Sequence, residues 1–303
     1  VLGSFMMDLV AYAPRRPERG ETLKGDSFVI AVGGKGFNQA VAASRAGAQS
    51  SMLGRLGTDS FGDSFMETLV GEGIDASGVE RDSEMGTGVG LPVVSSDGDN
   101  SIIIIPRAND LADEDYVQRH ADLIRASQVL LLQLELPTSG AVAAAHIAKE
   151  AGVCVVLTPA PVASLDEYVG LIDVLVPNQV EAAALTDGIE SVEDQAAALM
   201  TKLGCREVVI TLGSKGAFVT DGKRAEMIFA PSVDSVDTIG AGDTLCGYLG
   251  ARLSYGDNLF DATRQAVHAA SLSVTRRGAA LAAPKADEVE TFMRDLLPQA
   301  GAK

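Results

Sequence analysis

The chain has no tryptophan, and its three histidines and three cysteines are too few and too scattered to build a site. His120, His146 and His268 form no metal-ligand spacing, so a zinc centre is not expected. Cys154, Cys205 and Cys246 form no CxxC pair and read as buried apolar residues of a reducing cytoplasm. No apolar run approaches the roughly 18–20 residues that span a bilayer. Val1-Leu2-Gly3-Ser4 resembles the end of a buried strand, not a signal peptide, which would open with positive charge. The chain does not begin with Met, so a few residues are expected to precede Val1. Basic residues are also scarce, 24 against 41 acids, for a net charge of −17. Such a surface repels nucleic acid and anionic lipid, so neither is expected as a partner. An anionic ligand would need a local site of backbone amides, a few cations or a metal.

What is present is ample core. The 47% hydrophobic content and 303 residues suit one large α/β domain. From Gln128 onward, short unbroken apolar runs alternate with helical patterns. Val129–Leu134, Val153–Leu157, Val174–Val176 and Val208–Thr211 read as strands, and Gly140–Ala151 as a helix ending at Gly152. Strands that are apolar throughout and separated by helices predict a parallel sheet covered on both faces. Ligands of such sheets bind beyond the carboxyl ends of the strands, which points to Glu135, Asn178 and Thr211–Gly216. Val89–Val94 and Ser101–Ile105 are β-rich runs around an Asp97-Gly98 hairpin signal, and Gly20–Ile30 also looks extended. These pieces predict a small β-sheet lid. Ala217–Thr220 and Met227–Phe229 flank an Asp221-Gly222 turn and predict a further hairpin. Internal repeats and low-complexity stretches are absent.

Four short motifs carry chemistry. Asp237-Thr238-Ile239-Gly240-Ala241-Gly242-Asp243-Thr244 precedes a helical stretch, Leu245–Leu253. Small residues there let successive amides converge on an anion, and the helix dipole adds to the attraction. Asp243 beside them is suited to take a proton from an attacking hydroxyl while the amides hold a phosphoryl group. An ordinary helix N-cap has the same spelling, and local spacing alone favours it. Gly33-Gly34-Lys35-Gly36-Phe37-Asn38-Gln39 runs into the helical Ala40–Ala46. It is neither a Walker A loop nor a dinucleotide GxGxxG, but its glycines let backbone approach a polar ligand beside Lys35 and Asn38. A turn and cap would look alike. Pro177-Asn178-Gln179-Val180-Glu181 places Asn and Glu on one helical face, able to organise a hydrated Mg²⁺ or simply to cap a helix. Thr211-Leu212-Gly213-Ser214-Lys215-Gly216 is a loop able to cover a nucleotide, or a plain Gly-rich connection.

Taken in order, Gly-Gly-Lys-Gly-x-Asn-Gln-Ala-Val, Gln-Leu-Glu, Pro-Asn-x-x-Glu, Thr-Leu-Gly-Ser-x-Gly and Asp-Thr-x-Gly-Ala-Gly-Asp resemble the ribokinase family of sugar kinases. The resemblance runs from Gly3-Ser4 to Arg277-Gly278-Ala279, and the Gly33–Gly36 spelling sits closer to ribokinases than to fructokinases or ketodeoxygluconate kinases. It implies one ribokinase-like α/β domain over 1–303, a nine-stranded-type, mostly parallel Rossmann-like sheet with helices on both faces, with a lid from about 9–32 and 88–108 that often pairs two subunits as a homodimer. It implies ATP-dependent phosphorylation of a pentose, D-ribose or 2-deoxy-D-ribose, at its terminal hydroxyl. Asp243 would be the base and Gly240, Ala241 and Gly242 the anion hole. Met6, Asp8, Gly34, Lys35, Gly36, Phe37, Asn38 and Glu135 match sugar positions. Asn178, Thr211–Gly216 (with Leu212, Gly213, Ser214 and Lys215), Gly242 and Val267 match nucleotide positions. Glu181 matches the acid that orders Mg²⁺ through water. A potassium ion is implied at Asp237, Ile239, Ser273, Arg276, Gly278 and Ala282, mainly through carbonyls.

Several positions depart from the family pattern. Met6 stands where ribokinases often carry Asn, though deoxyribokinase-like members carry Met. Met cannot pair a sugar hydroxyl, a loss of about 1–3 kcal/mol if that hydroxyl stays unpaired. It therefore suits 2-deoxyribose, although an apolar contact rejects an added hydroxyl by only about 100-fold. Phe37 replaces a usual Ala, and either packs on the helix face or stacks on a base, which would fit a nucleoside acceptor. Arg107 replaces a Gly, Thr158 an Asn, Val267 a polar adenine contact and Ala282 a Ser. A nucleoside or another sugar as acceptor, and a catalytically idle sensor of sugar or nucleotide, are the alternative readings.

Overall fold

The computed structural model describes residues 1–96 and 100–296. Its main layer is a six-stranded sheet in the order β12-β11-β10-β9-β8-β7. The strands are β7 (Val129–Leu132), β8 (Cys154–Leu157), β9 (Val174–Leu175), β10 (Glu207–Thr211), β11 (Ala217–Thr220) and β12 (Ala225–Ile228). β7 to β10 run parallel, and the β11–β12 hairpin closes one edge antiparallel. At the other edge Leu2 bridges in parallel to both Leu132 and Leu53. It thereby joins the parallel pair β3 (Ser51–Gly57) and β4 (Asp75–Asp82). The expected strands are all present, one or two residues shorter or shifted at their ends.

The unbroken apolar strands split by residue parity onto two faces, as the pleat requires. Leu130, Leu132, Val155, Leu157, Leu175, Val208 and Ile210 face one core with α5 (Thr138–Ala151) and α7 (Val192–Leu203). Leu131, Val156, Val174 and Val209 face the other, under α8 (Ala241–Ser254) and α9 (Leu259–Ser273). Each fully buried side chain of this size stabilises by ~1.5–3 kcal/mol. Gly152 and Gly204, both left-handed, end α5 and α7. α8 lies close to the sheet because Gly250 faces it: a Cβ there would come 2.6 Å from Leu131 Cδ2.

A second, four-stranded sheet has the order β2-β1-β5-β6 and stands beside the main layer. It comprises β1 (Met6–Ala13), β2 (Ser27–Gly33), β5 (Val89–Ser95) and β6 (Asn100–Ile105). β1, at its centre, pairs antiparallel with β2 and parallel with β5. The extended reading of Gly20–Ile30 needs correcting: pairing begins only at Ser27, and Gly20 sits in a turn. The Asp97-Gly98 turn lies outside the described residues. Phe28, Ile30, Ile102, Ile103 and Ile104 of the two edge strands are exposed.

Candidate active site

Helix α1 (Lys35–Arg45) leads from the small sheet into the site, starting from Gly34 at φ 94°. A side chain at Gly34 would strike Met6 N and Ser4 O at 2.7 Å, besides the strain of its left-handed backbone. Two residues on, Gly36 and Gly3 cross with their backbones in contact, each occupying the space where the other's Cβ would stand. That crossing sets the Lys35 amide 3.0 Å from Glu135 Oε2, which also accepts from Ser4 Oγ at 2.5 Å. Glu135 follows β7 and Asn178 follows β9, both beyond carboxyl ends of strands.

Asp243 does not cap a helix. Gly240, at φ 75°, is the N-cap of α8, and Asp243 lies in the first turn with its carboxylate turned towards α1. Asn38 Nδ2 donates to Oδ2 at 2.8 Å and Gln39 Nε2 to Oδ1 at 3.3 Å. The carboxylate is 9% exposed, and burial pushes its pKa up to about 6. The Lys35 charge and the Asn38 and Gln39 bonds oppose that rise, while Glu135 adds to it. Burial works against the Lys35 charge as well, yet Asp243, Glu135 and Glu181 outweigh it and hold the pKa above its ordinary value. Asp8 is likewise pushed up to about 6, by burial and then by Glu135. Its carboxylate lies across two glycines: a Cβ at Gly33 or at Gly90 would come 2.5 Å from one of its oxygens.

Two cavities meet at this point. One of about 450 Å³ is lined by Thr211, Gly213, Ser214, Gly216, Ala241, Gly242 and Val267. The other, of about 150 Å³, is lined by Lys35, Asn178, Glu181, Gly240, Gly242 and Asp243. They share Thr211 and Gly242, so the larger cleft opens onto the helix N-terminus beside Asp243. Asn178 and Glu181 form a capping box at the start of α6 (Gln179–Leu185), with Asn178 Oδ1 accepting from two amides. Glu181 Oε2 accepts from Asn178 N at 2.8 Å; burial raises its pKa, against that bond and Lys35.

The expected positions do not all converge. Phe37 is corrected: it is 0% exposed and packs edge-on against Phe65 at 4.9 Å, in a core with Phe5 and Met52. Helix α1 turns it into this core, so it presents no free face for a base to stack on. Leu212 packs on the apolar core and only its neighbours line the larger cavity, as Lys215 also does not. Arg276 spends its guanidinium on Glu288 at 2.6 Å, and Ser273 Oγ donates to Ala270 O at 2.8 Å. Asp237 accepts from Ile239 N through Oδ1 and from Gly278 N through Oδ2, both at 3.0 Å. It thus ties the two segments together with both oxygens, while Ala282 is buried. Met6 is buried at the head of β1, its sulfur 3.8 Å from Asn109 Nδ2. Arg107 adopts φ 51°, a backbone that suits glycine, and donates to Thr87 O at 3.0 Å.

The sequence reading overlooked Gln39, Thr158 and Cys246 around Asp243, and Gln133 behind Gln39. Gln39 stood inside a quoted motif, but nothing in its spacing said that it was buried. Cys246 shares the smaller cavity, its thiol pushed up to about 12 by burial. Among the described residues no cluster of three or more His, Cys, Asp and Glu is suited to a metal. Nor is any helix among them long and apolar enough to cross a membrane.

Comparison with known proteins agrees with this arrangement. Residues 1–286 match the family model described as pfkB family carbohydrate kinase. The chain is 40% identical over 298 residues to a ribokinase of Haemophilus influenzae, covering 97% of both. It is 33% identical over 299 residues to a deoxyribokinase of Salmonella typhimurium, again covering 97% of both. The structure of Arabidopsis thaliana ribokinase complexed with ribose and ATP superimposes with a TM-score of 0.91, at 32% identity and 97% coverage of each chain. With its parallel sheet, its helix N-terminus beside a buried carboxylate and these relatives, the chain belongs to the pfkB family of carbohydrate kinases.

Proposed function

We propose that the protein transfers the γ-phosphoryl group of ATP to the terminal hydroxyl of D-ribose or 2-deoxy-D-ribose, giving the 5-phosphate. The observation that carries this reading is the buried Asp243, held by Asn38 where a 450 Å³ cleft meets the start of α8. The sugar oxygen attacks the γ-phosphorus, its proton passes to Asp243, and the bond to the bridging oxygen breaks to release ADP. The Gly242 amide, in the first turn of α8, would meet the charge that builds on the transferring group, whereas the Ala241 amide already donates to Thr238 O at 3.3 Å. Asp8, Asn38 and Glu135 supply acceptors for sugar hydroxyls. The largely apolar cleft beyond Gly242, with Val267 in its wall, suits the adenine.

Mg²⁺ would neutralise the phosphates, and Glu181, beside Lys35 and Asn178, is suited to hold it through water. A potassium ion would be held by main-chain oxygens of the two segments that Asp237 ties together, since both its carboxylate oxygens already accept amides. Thiols that are all free fit a cytoplasmic protein. The small sheet would act as the lid, and its exposed Phe28, Ile102 and Ile103 suit burial against a second copy.

Burial of Phe37 weakens the nucleoside alternative, and the buried Met6 favours a sugar lacking one hydroxyl. A sensor without turnover would have no use for a desolvated carboxylate at this junction. Steady-state rates with ATP on D-ribose, 2-deoxy-D-ribose, D-fructose and adenosine test the proposal. If both pentoses are inert while another acceptor turns over, it is wrong. A potassium titration at fixed Mg-ATP that leaves the rate flat would remove the monovalent ion.

A further inference from the structure

We infer that Gln39 is a positioning residue for Asp243 and that Gln133 fixes Gln39 in turn. This rests on the reading of Asp243 as the base. Gln39 is 0% exposed, so it meets no substrate, and its side chain is used at every polar atom. Nε2 donates to Asp243 Oδ1 at 3.3 Å and to Thr158 Oγ1 at 3.4 Å, while Oε1 accepts from Gln133 Nε2 at 2.6 Å. An ionised carboxylate only accepts, so the amide nitrogen of Gln39 must face it. Its oxygen then faces away and demands a donor, which Gln133 supplies. Among the described residues Gln133, 2% exposed, reaches Asp243 only through Gln39, and its own Oε1, buried against Gly3, has no partner. Burying an amide with an unpaired oxygen is costly, and what it achieves here is one orientation of Gln39.

Asn38 grips the other carboxylate oxygen but is also proposed to border the sugar, and its buried Oδ1 has no partner among the described residues. Gln39 therefore holds the base in the same pose whether or not sugar is bound. The charged and titratable groups around Asp243 are Lys35 on α1, Glu135 after β7 and Cys246 on α8, with Glu181 behind Lys35. Among them Gln39 is a neutral donor, which favours the ionised base without pairing it as a cation would.

The near-isosteric Gln39→Met tests this. It is expected to lower kcat about 10- to 100-fold, the loss of a hydrogen bond to a charged group. KM for pentose and for ATP should stay unchanged, and the acidic limb of kcat should move to higher pH. Gln133→Met should shift the same two readouts in the same direction but less, and the double variant should be no worse than Gln39→Met. A Gln39→Met protein with wild-type melting, wild-type kcat and an unmoved limb overturns the inference, as does a change confined to KM. Should Gln39→Met fail to fold, Gln133→Met decides alone, and unchanged kcat with an unmoved limb then overturns it. Asp243→Ala separates the two levels. If it keeps turnover, the base reading fails; if it loses turnover while Gln39→Met does not, only the positioning role fails.

Discussion

Asn38 and Asp243, 205 positions apart, share a 2.8 Å hydrogen bond that brings the first turns of α1 and α8 together. Under the proposed function, the bond makes the sugar side and the phosphoryl side of the site one unit. Removing the carboxylate with Asp243→Ala is expected to cut turnover by about 10²–10⁴. ATP binding, measured by calorimetry, should persist because the larger cavity does not include Asp243.

As the proposed base, Asp243 would act only when ionised, and burial raises its pKa to about 6. Turnover should therefore fall as pH drops through about 6, a rate profile being the check. The same shift has a stability consequence. Folding raises the pKa of Asp243, and of Asp8, from the model-compound 3.8 to about 6. Their contribution is fully present below the unfolded pKa and lost as pH rises through the folded one. Asp243→Asn should then gain melting temperature over the wild type, and gain more at pH 8 than at pH 5. An equal gain at both would mean that the carboxylate is not desolvated.

Met6 sets the acceptor preference under this reading. Met6→Asn adds a donor and an acceptor at the head of β1, next to Asn109. We expect the ratio of kcat/KM for ribose over 2-deoxyribose to rise by about 10-fold or more, the worth of one recovered hydrogen bond. A ratio that does not change removes Met6 from the sugar's neighbourhood.

Phe37, by contrast, belongs to the core. Phe37→Ala should destabilise by about 3–5 kcal/mol in denaturant unfolding. The relative rates on ribose and adenosine should stay as they were; a specific loss of adenosine turnover would restore the stacking role.

The exposed isoleucines of β6 give the dimer proposal its handle. Ile103, 65% exposed, tolerates a charge without disturbing a core. Ile103→Glu should shift sedimentation from dimer to monomer while the chain stays folded. A monomeric wild-type protein would refute the proposal outright.

Much of this architecture was legible in the sequence, for physical reasons that differ by element. β7, β8 and β10 are buried on both faces, so each is an unbroken apolar run that can hardly be anything else. β1 escaped notice because only its ends are fully buried, and its middle mixes Asp8 with apolar residues half exposed. Asp243 could be read as cap or base because spacing cannot say which way a side chain turns; the N-cap at Gly240 and the approach of α1 remove the cap reading. Phe37 was ambiguous for the same reason, since a one-residue step round a helix separates ligand from core. Gln39 and Gln133 meet across 94 positions, a pairing that no local pattern encodes.

The contact between Gly3 and Gly36 leaves the molecule without a spare solution there. Where two side chains meet, growth on one side is answered by shrinkage on the other; here both partners are already minimal. A methyl on either would lift the start of α1, and the Lys35 amide would leave Glu135 with it. Two hydrogen atoms thus hold the register between the small sheet and the α1–α8 helix pair.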